Sequence, residues 1–314
     1  MSSPSFTKKT LEQNGKEIYC YQSEDGEIEL HIIADSALIS DLKIKGQSII
    51  SGPRTDEEII DNESYKSSYL LPFPNRLKGG KFEFEDQIFQ FPINDETGQN
   101  AMHGIKVENP FILTEESASG SLRLCFEQSY DGDNASYPFP YKFTVVINLD
   151  RHKCELHLQI HNSGNKNMPV GLGWHPFFSL QDGSINDFKL CIPKCKKIEV
   201  DDRLLPTGKK LQFDDFSKPK SIGDMKFDTT FLFVKDADFT SVTLENEDYK
   251  LRYFQETRDQ KFNYLQVYTP EDRKSIALEP MSCNIDAFNN QEGLKVLAPG
   301  KRFKARCGVA LTVK

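Results

Sequence analysis

The chain has 314 residues, with 39 basic and 47 acidic side chains and a formal net charge of −8. This excess of acid disfavours nucleic acid or an anionic membrane surface as the main partner. No stretch is apolar over the length that spans a bilayer, and the first residues lack the apolar core of a signal peptide. The seven cysteines are odd in number and several alternate with apolar neighbours, which favours reduced thiols in a cytoplasmic protein.

Short segments of alternating apolar and polar residues follow one another along the chain. In order they cover residues 27–33, a hairpin at 81–91, a pair at 141–149 and 153–161, and runs at 242–244, 251–254, 264–268, 275–278 and 303–313. Period-two alternation is typical of strands with one buried face, and such sheets are usually antiparallel. No segment carries a sustained helical stripe. We therefore predict an all-β fold, a large antiparallel sandwich, in one domain over residues 1–314.

One long stretch departs from this pattern. Residues 194–223 are rich in Lys, Asp, Pro and Gly and alternate little. We predict an extended connection there, of the kind that often carries binding residues in β-proteins.

Two residues in apolar surroundings could perform acid–base chemistry. His175 lies between Trp174 and the run Pro176-Phe177-Phe178, and Glu279 follows the apolar strand end Ile276-Ala277-Leu278. Histidine exchanges a proton near neutral pH, and partial burial raises the pKa of a carboxylic acid toward that range. Either residue alone could be structural, His175 as a core histidine and Glu279 as a strand terminus. Their pairing favours a general acid and a general base.

Further residues could bind a neutral polyol. Arg76, with Asn75 beside it at a turn, offers a fork of donors for hydroxyls, and His103 and Asp228 could each hydrogen-bond a hydroxyl. Each of these could instead be an ordinary turn, loop or strand-start residue. The single tryptophan, Trp174, could stack on the apolar face of a sugar ring or belong to the core.

Other motifs carry less weight. His152, His157 and His161 do not have the spacing of metal ligands and favour a solvated face, so we predict no metal site. Glycine-rich phosphate loops and a nucleophile elbow are absent from the sequence, which disfavours a nucleotide cofactor and serine hydrolase chemistry.

The order of these motifs resembles the aldose 1-epimerase (galactose mutarotase) family, over most of the chain. The resemblance rests on Asn75-Arg76, His103-Gly104, His175-Pro176-Phe177-Phe178, Asp228 and Glu279, with lesser matches at Gly79–Phe82, Asn94, residues 205–208, residues 266–269 and residues 286–289. It implies an antiparallel β-supersandwich with a sugar groove on one sheet. It also implies that His175 is the general acid and Glu279 the general base, and that Arg76, His103 and Asp228 orient the sugar.

The implied reaction interconverts the α and β anomers of a free hexose and needs no metal or organic cofactor. Alternatives remain open: a hexose-6-phosphate 1-epimerase, a carbohydrate-binding protein without turnover, or a glycoside hydrolase with Asp228 as second carboxylate. Ser179 and Ile105 depart from common family residues near the groove, which bears on the sugar more than on the reaction. A small sugar is the expected partner of a monomer or homodimer.

Overall fold

Two large β-sheets dominate the structure, a computed structural model that describes residues 4–180, 183–234 and 237–314. In these residues one sheet has 13 strands and the other nine, with three two-stranded ladders besides. The strand pairs of both large sheets are antiparallel. The predicted all-β class and antiparallel arrangement are confirmed.

The strands are, in chain order, β1 (Phe6–Gln13), β2 (Lys16–Ser23), β3 (Glu29–Ile33), β4 (Leu38–Ile44), β5 (Gln47–Ser51), β6 (Tyr69–Leu70), β7 (Arg76–Lys78), β8 (Lys81–Phe84), β9 (Gln87–Gln90), β10 (Asn100–Met102), β11 (Ile112–Ser117), β12 (Leu122–Tyr130), β13 (Tyr141–Leu149), β14 (Lys153–Asn162), β15 (Met168–Val170), β16 (Gly173–Trp174), β17 (Phe177–Phe178), β18 (Lys189–Cys191), β19 (Cys195–Val200), β20 (Pro206–Phe213), β21 (Lys220–Ser221), β22 (Asp228–Leu232), β23 (Phe239–Glu245), β24 (Tyr249–Glu256), β25 (Tyr264–Tyr268), β26 (Ile276–Met281), β27 (Lys295–Leu297) and β28 (Arg302–Val313). Over the described ranges, the strands are joined by two short helices, α1 (Asp56–Ile60) and α2 (Ala287–Asn290), and by two 3₁₀ turns, Ile185–Asp187 and Arg258–Gln260.

The larger sheet has the order β1-β2-β3-β4-β5-β17-β26-β25-β22-β19-β20, with β16 and β6 attached beside β26. The smaller sheet has the order β11-β12-β13-β14-β28-β24-β23-β18-β21. One hydrophobic core contains buried side chains of both sheets, such as Leu30 and Leu278 from the larger and Val145 and Leu156 from the smaller. The strand β26 therefore lies in the interior of a wide sheet, where every residue from Ile276 to Met281 is buried.

Alternation located most of the strands correctly. In β14 partly exposed and buried residues alternate without exception along all ten positions. As predicted, β13 pairs with β14 around the turn at 150–152. The hairpin of β8 and β9 also forms as predicted.

The prediction for residues 194–223 was wrong. Three strands lie in this stretch, and β19 and β20 form the end of the larger sheet. No residue of β20 is fully buried, because β20 is an edge strand. An edge strand of this kind carries polar and charged residues on both faces, so it lacks the alternation by which strands are recognised.

In the described ranges no helix is long and apolar enough to cross a membrane. The seven cysteines are all free, and five of them are buried, namely Cys125, Cys154, Cys195, Cys283 and Cys307. Their burial agrees with the predicted reduced thiols.

The small ladder of β7 and β10 packs against the larger sheet through a close backbone approach at Gly104. Gly104 has φ +81° and forms a parallel bridge with Leu71, and a Cβ added to it would lie 1.8 Å from the Leu71 carbonyl oxygen. Only glycine fits this position. The contact fixes where the chain runs directly after His103.

We therefore expect Gly104→Ala to destabilise the protein by about 2 kcal/mol or more in urea unfolding. Gly98→Ala is the matched control, since Gly98 also has a positive φ (+67°) but a Cβ there would meet no atom within 4 Å. We expect Gly98→Ala to destabilise the protein by about 1 kcal/mol, because this variant has the backbone strain of a positive φ but no steric clash. Equal losses in the two variants would contradict a role for the close approach to Leu71.

Candidate active site

Glu279 lies in β26 with only 2% of its surface exposed. Its Oε1 atom is 3.5 Å from Nε2 of His175, and among the described residues its Oε2 atom has no hydrogen-bond partner. Burial raises the pKa of Glu279 well above its ordinary value; the negative charge of Asp228 adds to the rise and Arg76 opposes it. A carboxyl group in these surroundings holds a proton more readily than one in water.

His175 lies between β16 and β17, both of which pair with β26. Its backbone exchanges two hydrogen bonds with the loop before β6, donating to the Ser68 carbonyl (2.9 Å) and accepting from the Ser67 N–H (2.9 Å). His175 is 6% exposed, and its ring stacks on that of Phe177 with 5.0 Å between ring centroids. Burial lowers the pKa of His175 to about 4. The pKa values of this imidazole and of Glu279 are thus shifted in opposite directions.

His103 follows β10 and is held by Asn75. The Asn75 N–H donates to Nδ1 of His103 (3.2 Å), and the His103 N–H donates back to the Asn75 carbonyl (2.9 Å). Both residues have positive φ angles, +58° and +62°. Burial, with the nearby charges of His175 and Arg76, keeps the pKa of His103 well below its ordinary value. In a neutral ring whose Nδ1 accepts a hydrogen bond, the proton resides on Nε2, so His103 can donate a hydrogen bond from that atom.

Arg76 begins β7 and is almost fully buried among carboxylates. Its Nε atom is 3.5 Å from Asp95 Oδ2, and its Nη2 atom is 3.6 Å from Glu96 Oε1. Burial alone would raise the pKa of Asp95, but hydrogen bonds from Asn100 and neighbouring groups outweigh it and lower the pKa to about 2. Asp95 therefore stays ionised beside the guanidinium, although Arg76 Nε has no hydrogen-bond partner among the described residues. The Glu96 side chain is 78% exposed.

Asp228, at the start of β22, is connected to Glu279 through one intervening strand. Gln266 of β25 is opposite Glu279 of β26 in the register, and its amide donates to Asp228 and accepts from the hydroxyl of Thr230. Desolvation raises the pKa of Asp228, and the charge of Arg76 opposes that rise. Asp228, Thr230 and Gln266 thus form a hydrogen-bonded group across two adjacent strands, and Glu279 lies opposite Gln266 on the next strand.

The structure corrects the stacking role considered for Trp174. Its side chain has no exposed surface, and its Nε1–H donates to the Ser67 carbonyl at 3.1 Å. A ring enclosed in the core has no face for a sugar. Asn75, in turn, uses its side-chain oxygen within its own turn, accepting from the Arg76 N–H at 2.9 Å.

One group of residues has the composition of a metal site. In the described part of the chain, His103, His175 and Glu279 each present a ligand atom within 4.8 Å of the others. A histidine that binds a metal normally donates its other ring N–H to an acceptor. His103 does the reverse, since its Nδ1 accepts from a backbone N–H. In this tautomer Nε2 carries the proton, so it can donate a hydrogen bond but has no lone pair for a metal ion.

The structure adds residues that the sequence did not single out. Asp95 and Glu96 contact Arg76, and Tyr65 packs on His103 with 4.6 Å between ring centroids. Asp95 and Glu96 directly follow Asn94, which the family resemblance included. Their position next to Asn94 could have identified them as candidate site residues. Tyr65 lies in a polar loop without periodicity, and no pattern marked it.

The sequence model of the family described as aldose 1-epimerase matches residues 19–310. The chain belongs to this family. An uncharacterized protein of Escherichia coli, YihR, is 27% identical over 285 residues, which are 88% of this chain and 88% of that protein. The galactose mutarotase of Rattus norvegicus is 25% identical over 207 residues, 63% of this chain and 59% of that protein.

A solved structure supports the same fold. The crystal structure of a galactose mutarotase-like protein from Clostridium acetobutylicum superposes with a TM-score of 0.86 at 20% identity, over 99% of each chain. The aldose 1-epimerase family is a family of isomerases, and its antiparallel β-supersandwich is the fold described above.

Proposed function

We propose that this protein is an aldose 1-epimerase that interconverts the α and β anomers of an uncharged hexose. The observation that carries the proposal is the buried pair of His175 and Glu279, 3.5 Å apart, with the pKa of one lowered and of the other raised. Two neighbouring titratable groups with pKa values shifted apart are a usual arrangement for acid–base catalysis. The chain belongs to a family of isomerases, and acid–base catalysis by this pair agrees with an isomerase reaction.

Ring opening requires one proton to leave the anomeric hydroxyl and another to reach the ring oxygen. Glu279 as carboxylate accepts the first proton, and His175 as imidazolium donates the second, while the bond from C1 to the ring oxygen breaks. Rotation about C1–C2 then presents the other face of the aldehyde, and the two groups act in reverse to close the other anomer. The pair carries one proton throughout. Burial favours the neutral distribution, protonated Glu279 with neutral His175, which is the distribution that ring opening produces.

The remaining polar residues would orient the sugar. His103 can donate from Nε2, Arg76 can donate from its guanidinium, and Asp228 can accept from hydroxyls. Arg76 and His103 would also stabilise negative charge that develops on oxygen during ring opening. These contacts need only neutral hydroxyl groups on the substrate.

The charge distribution favours an uncharged sugar over a hexose 6-phosphate. In the described part of the chain, Arg76 is the one cation among the charged groups that shift the pKa values of Asp228 and Glu279. Asp95 and Glu96 already lie within 3.6 Å of that guanidinium. A phosphate dianion held against Arg76 would therefore meet these two carboxylates, and like charges at such distances repel.

We expect His175→Asn and Glu279→Gln each to lower kcat at least about 10²-fold with little change in KM, because each removes one proton-transfer group. Polarimetry on freshly dissolved α-D-glucose and α-D-galactose, corrected for the spontaneous rate, measures kcat and KM. The matched controls are His152→Asn, in the turn between β13 and β14, and Glu127→Gln, in β12 of the smaller sheet. Full activity in either site variant would remove that residue from the mechanism. If the wild type accelerates no aldose yet binds sugar, the protein is a carbohydrate-binding protein.

The pH profile follows from the single shared proton. Below about pH 4, His175 and Glu279 are both protonated. The pair then holds two protons, no carboxylate remains to accept one from the sugar, and the rate falls. Above the raised pKa of Glu279 the pair loses its last proton, and no acid remains for the ring oxygen. We therefore expect a bell-shaped dependence of kcat/KM on pH, measured by anomer exchange in NMR. A rate that rises monotonically with pH would contradict the one-proton mechanism.

Substrate charge provides a separate test. We expect kcat/KM for glucose to exceed that for glucose 6-phosphate by at least about tenfold, because of repulsion from Asp95 and Glu96. Glu96→Gln removes one of these charges at the exposed rim and should narrow the ratio of the two kcat/KM values. Glu247→Gln, at an exposed turn between β23 and β24 of the smaller sheet, should leave that ratio unchanged. Equal values for the two sugars in the wild type would favour the hexose-6-phosphate alternative.

A further inference from the structure

The Tyr65 ring lies against both imidazoles of the site. Its centroid is 4.6 Å from that of His103 and 6.4 Å from that of His175, and its plane is inclined by 22° to the His175 ring. The two imidazoles are themselves 5.3 Å apart and inclined by 75°. Three rings are thus packed together at the place where protons would move.

The backbone of Tyr65 has a conformation that a bulky aromatic residue seldom adopts. Its φ is +54°, in the left-handed region. Asn62 holds it there: the Tyr65 N–H donates to the Asn62 carbonyl at 2.8 Å, and the Asn62 side chain bonds Lys66 and Ser68. Strained residues persist where their surroundings fix them, and they concentrate at functional sites.

The Tyr65 ring is also fixed at its hydroxyl end. The Asn94 side chain donates to the Tyr65 hydroxyl at 3.1 Å, and it also bonds the N–H and the carbonyl of Met102, the residue before His103. On the other side, Ser67 and Ser68 bond the backbone of His175. The loop at residues 62–68 is therefore tied to the chain on which each imidazole is mounted.

We propose that Tyr65 is a positioning residue that holds the imidazoles of His103 and His175 in their reactive orientation and shields them from water. Tyr65, Asn94 and His103 line a cavity of about 590 Å³, so the ring forms part of the boundary between open space and the site. This role rests on the proposed epimerase activity, because it assigns Tyr65 a function in that proton transfer. Low pKa values of both imidazoles accord with such shielding.

The test compares Tyr65→Ala with Tyr65→Phe and with the control Tyr19→Ala. Tyr19 is another partly buried tyrosine, in β2 near the far end of the larger sheet. We expect Tyr65→Ala to lower kcat at least about tenfold with KM changed less than about threefold, since small misplacements of catalytic groups are costly. The acid limb of the pH profile should move to higher pH, because water then reaches His175 and its pKa rises toward the ordinary value. Tyr65→Phe keeps the ring and should recover most of kcat and the original acid limb.

Three results would overturn the proposal. An unchanged pH profile in Tyr65→Ala, with reduced stability alone, would mean a purely structural role. A raised KM at unchanged kcat, reproduced by Tyr65→Phe, would mean that the hydroxyl binds the sugar directly. Tyr19→Ala with the same kinetic change would mean a non-specific effect. If Tyr65→Ala does not fold, Tyr65→Leu tests the same ring removal with more apolar bulk retained.

An NMR titration of the histidine ring protons distinguishes failure of the epimerase proposal from failure of the Tyr65 proposal. The His175→Asn variant assigns the His175 signal. This titration needs no substrate. If the wild type has no epimerase activity, the catalytic role fails with it, but a raised pKa of His175 in Tyr65→Ala would still establish the shielding. If the wild type is active and the pKa of His175 is the same in both proteins, the shielding is wrong while the epimerase proposal stands.

Discussion

Burying the Glu279 carboxyl group inside the larger sheet imposes a cost that the surrounding residues only partly offset. One of its oxygens lies 3.5 Å from the His175 ring, and the other has no hydrogen-bond partner in the residues that the structure describes. An ionised carboxylate without partners is expensive in such a place, so the group favours its protonated form. The neighbouring imidazole, buried as well, favours its neutral form for the corresponding reason. Burial is the largest cause of both pKa shifts, and the charge of Asp228 adds to the rise at Glu279.

Holding these two groups in place depends on backbone hydrogen bonds more than on side-chain contacts. Strands β16 and β17 flank His175 and pair with the strand that carries Glu279, and the loop at residues 62–68 bonds the backbone of His175 from its other edge. His103 is held in the same manner by the backbone of Asn75. Side-chain orientation then requires only local packing, by Phe177 on His175 and by Tyr65 on both rings.

Much of this could be predicted from the sequence, for identifiable reasons. A strand such as β14 has one buried face, so alternation marks it, whereas the edge strand β20 is largely solvated and left no such mark. His175 and Glu279 were recognisable because titratable residues are unusual in apolar runs. Tyr65 was not recognisable, since its significance depends on a left-handed backbone and on ring contacts between residues distant in the chain. Trp174 was ambiguous, and only its enclosure in the core decided between the two interpretations.

The site residues belong to two different sets of paired strands, and this division has an evolutionary consequence. His175, Glu279, Gln266 and Asp228 are on or beside strands of the 13-stranded sheet, while Arg76 and His103 are on or beside the two-stranded ladder of β7 and β10. Under the proposed function, replacements in the ladder and its flanking turns would alter what faces the hydroxyls of the sugar without changing the register of the strands that carry the proposed acid–base pair. Divergence in substrate preference among descendants of one ancestral protein can therefore proceed by drift in the ladder, with the reaction itself preserved by the sheet.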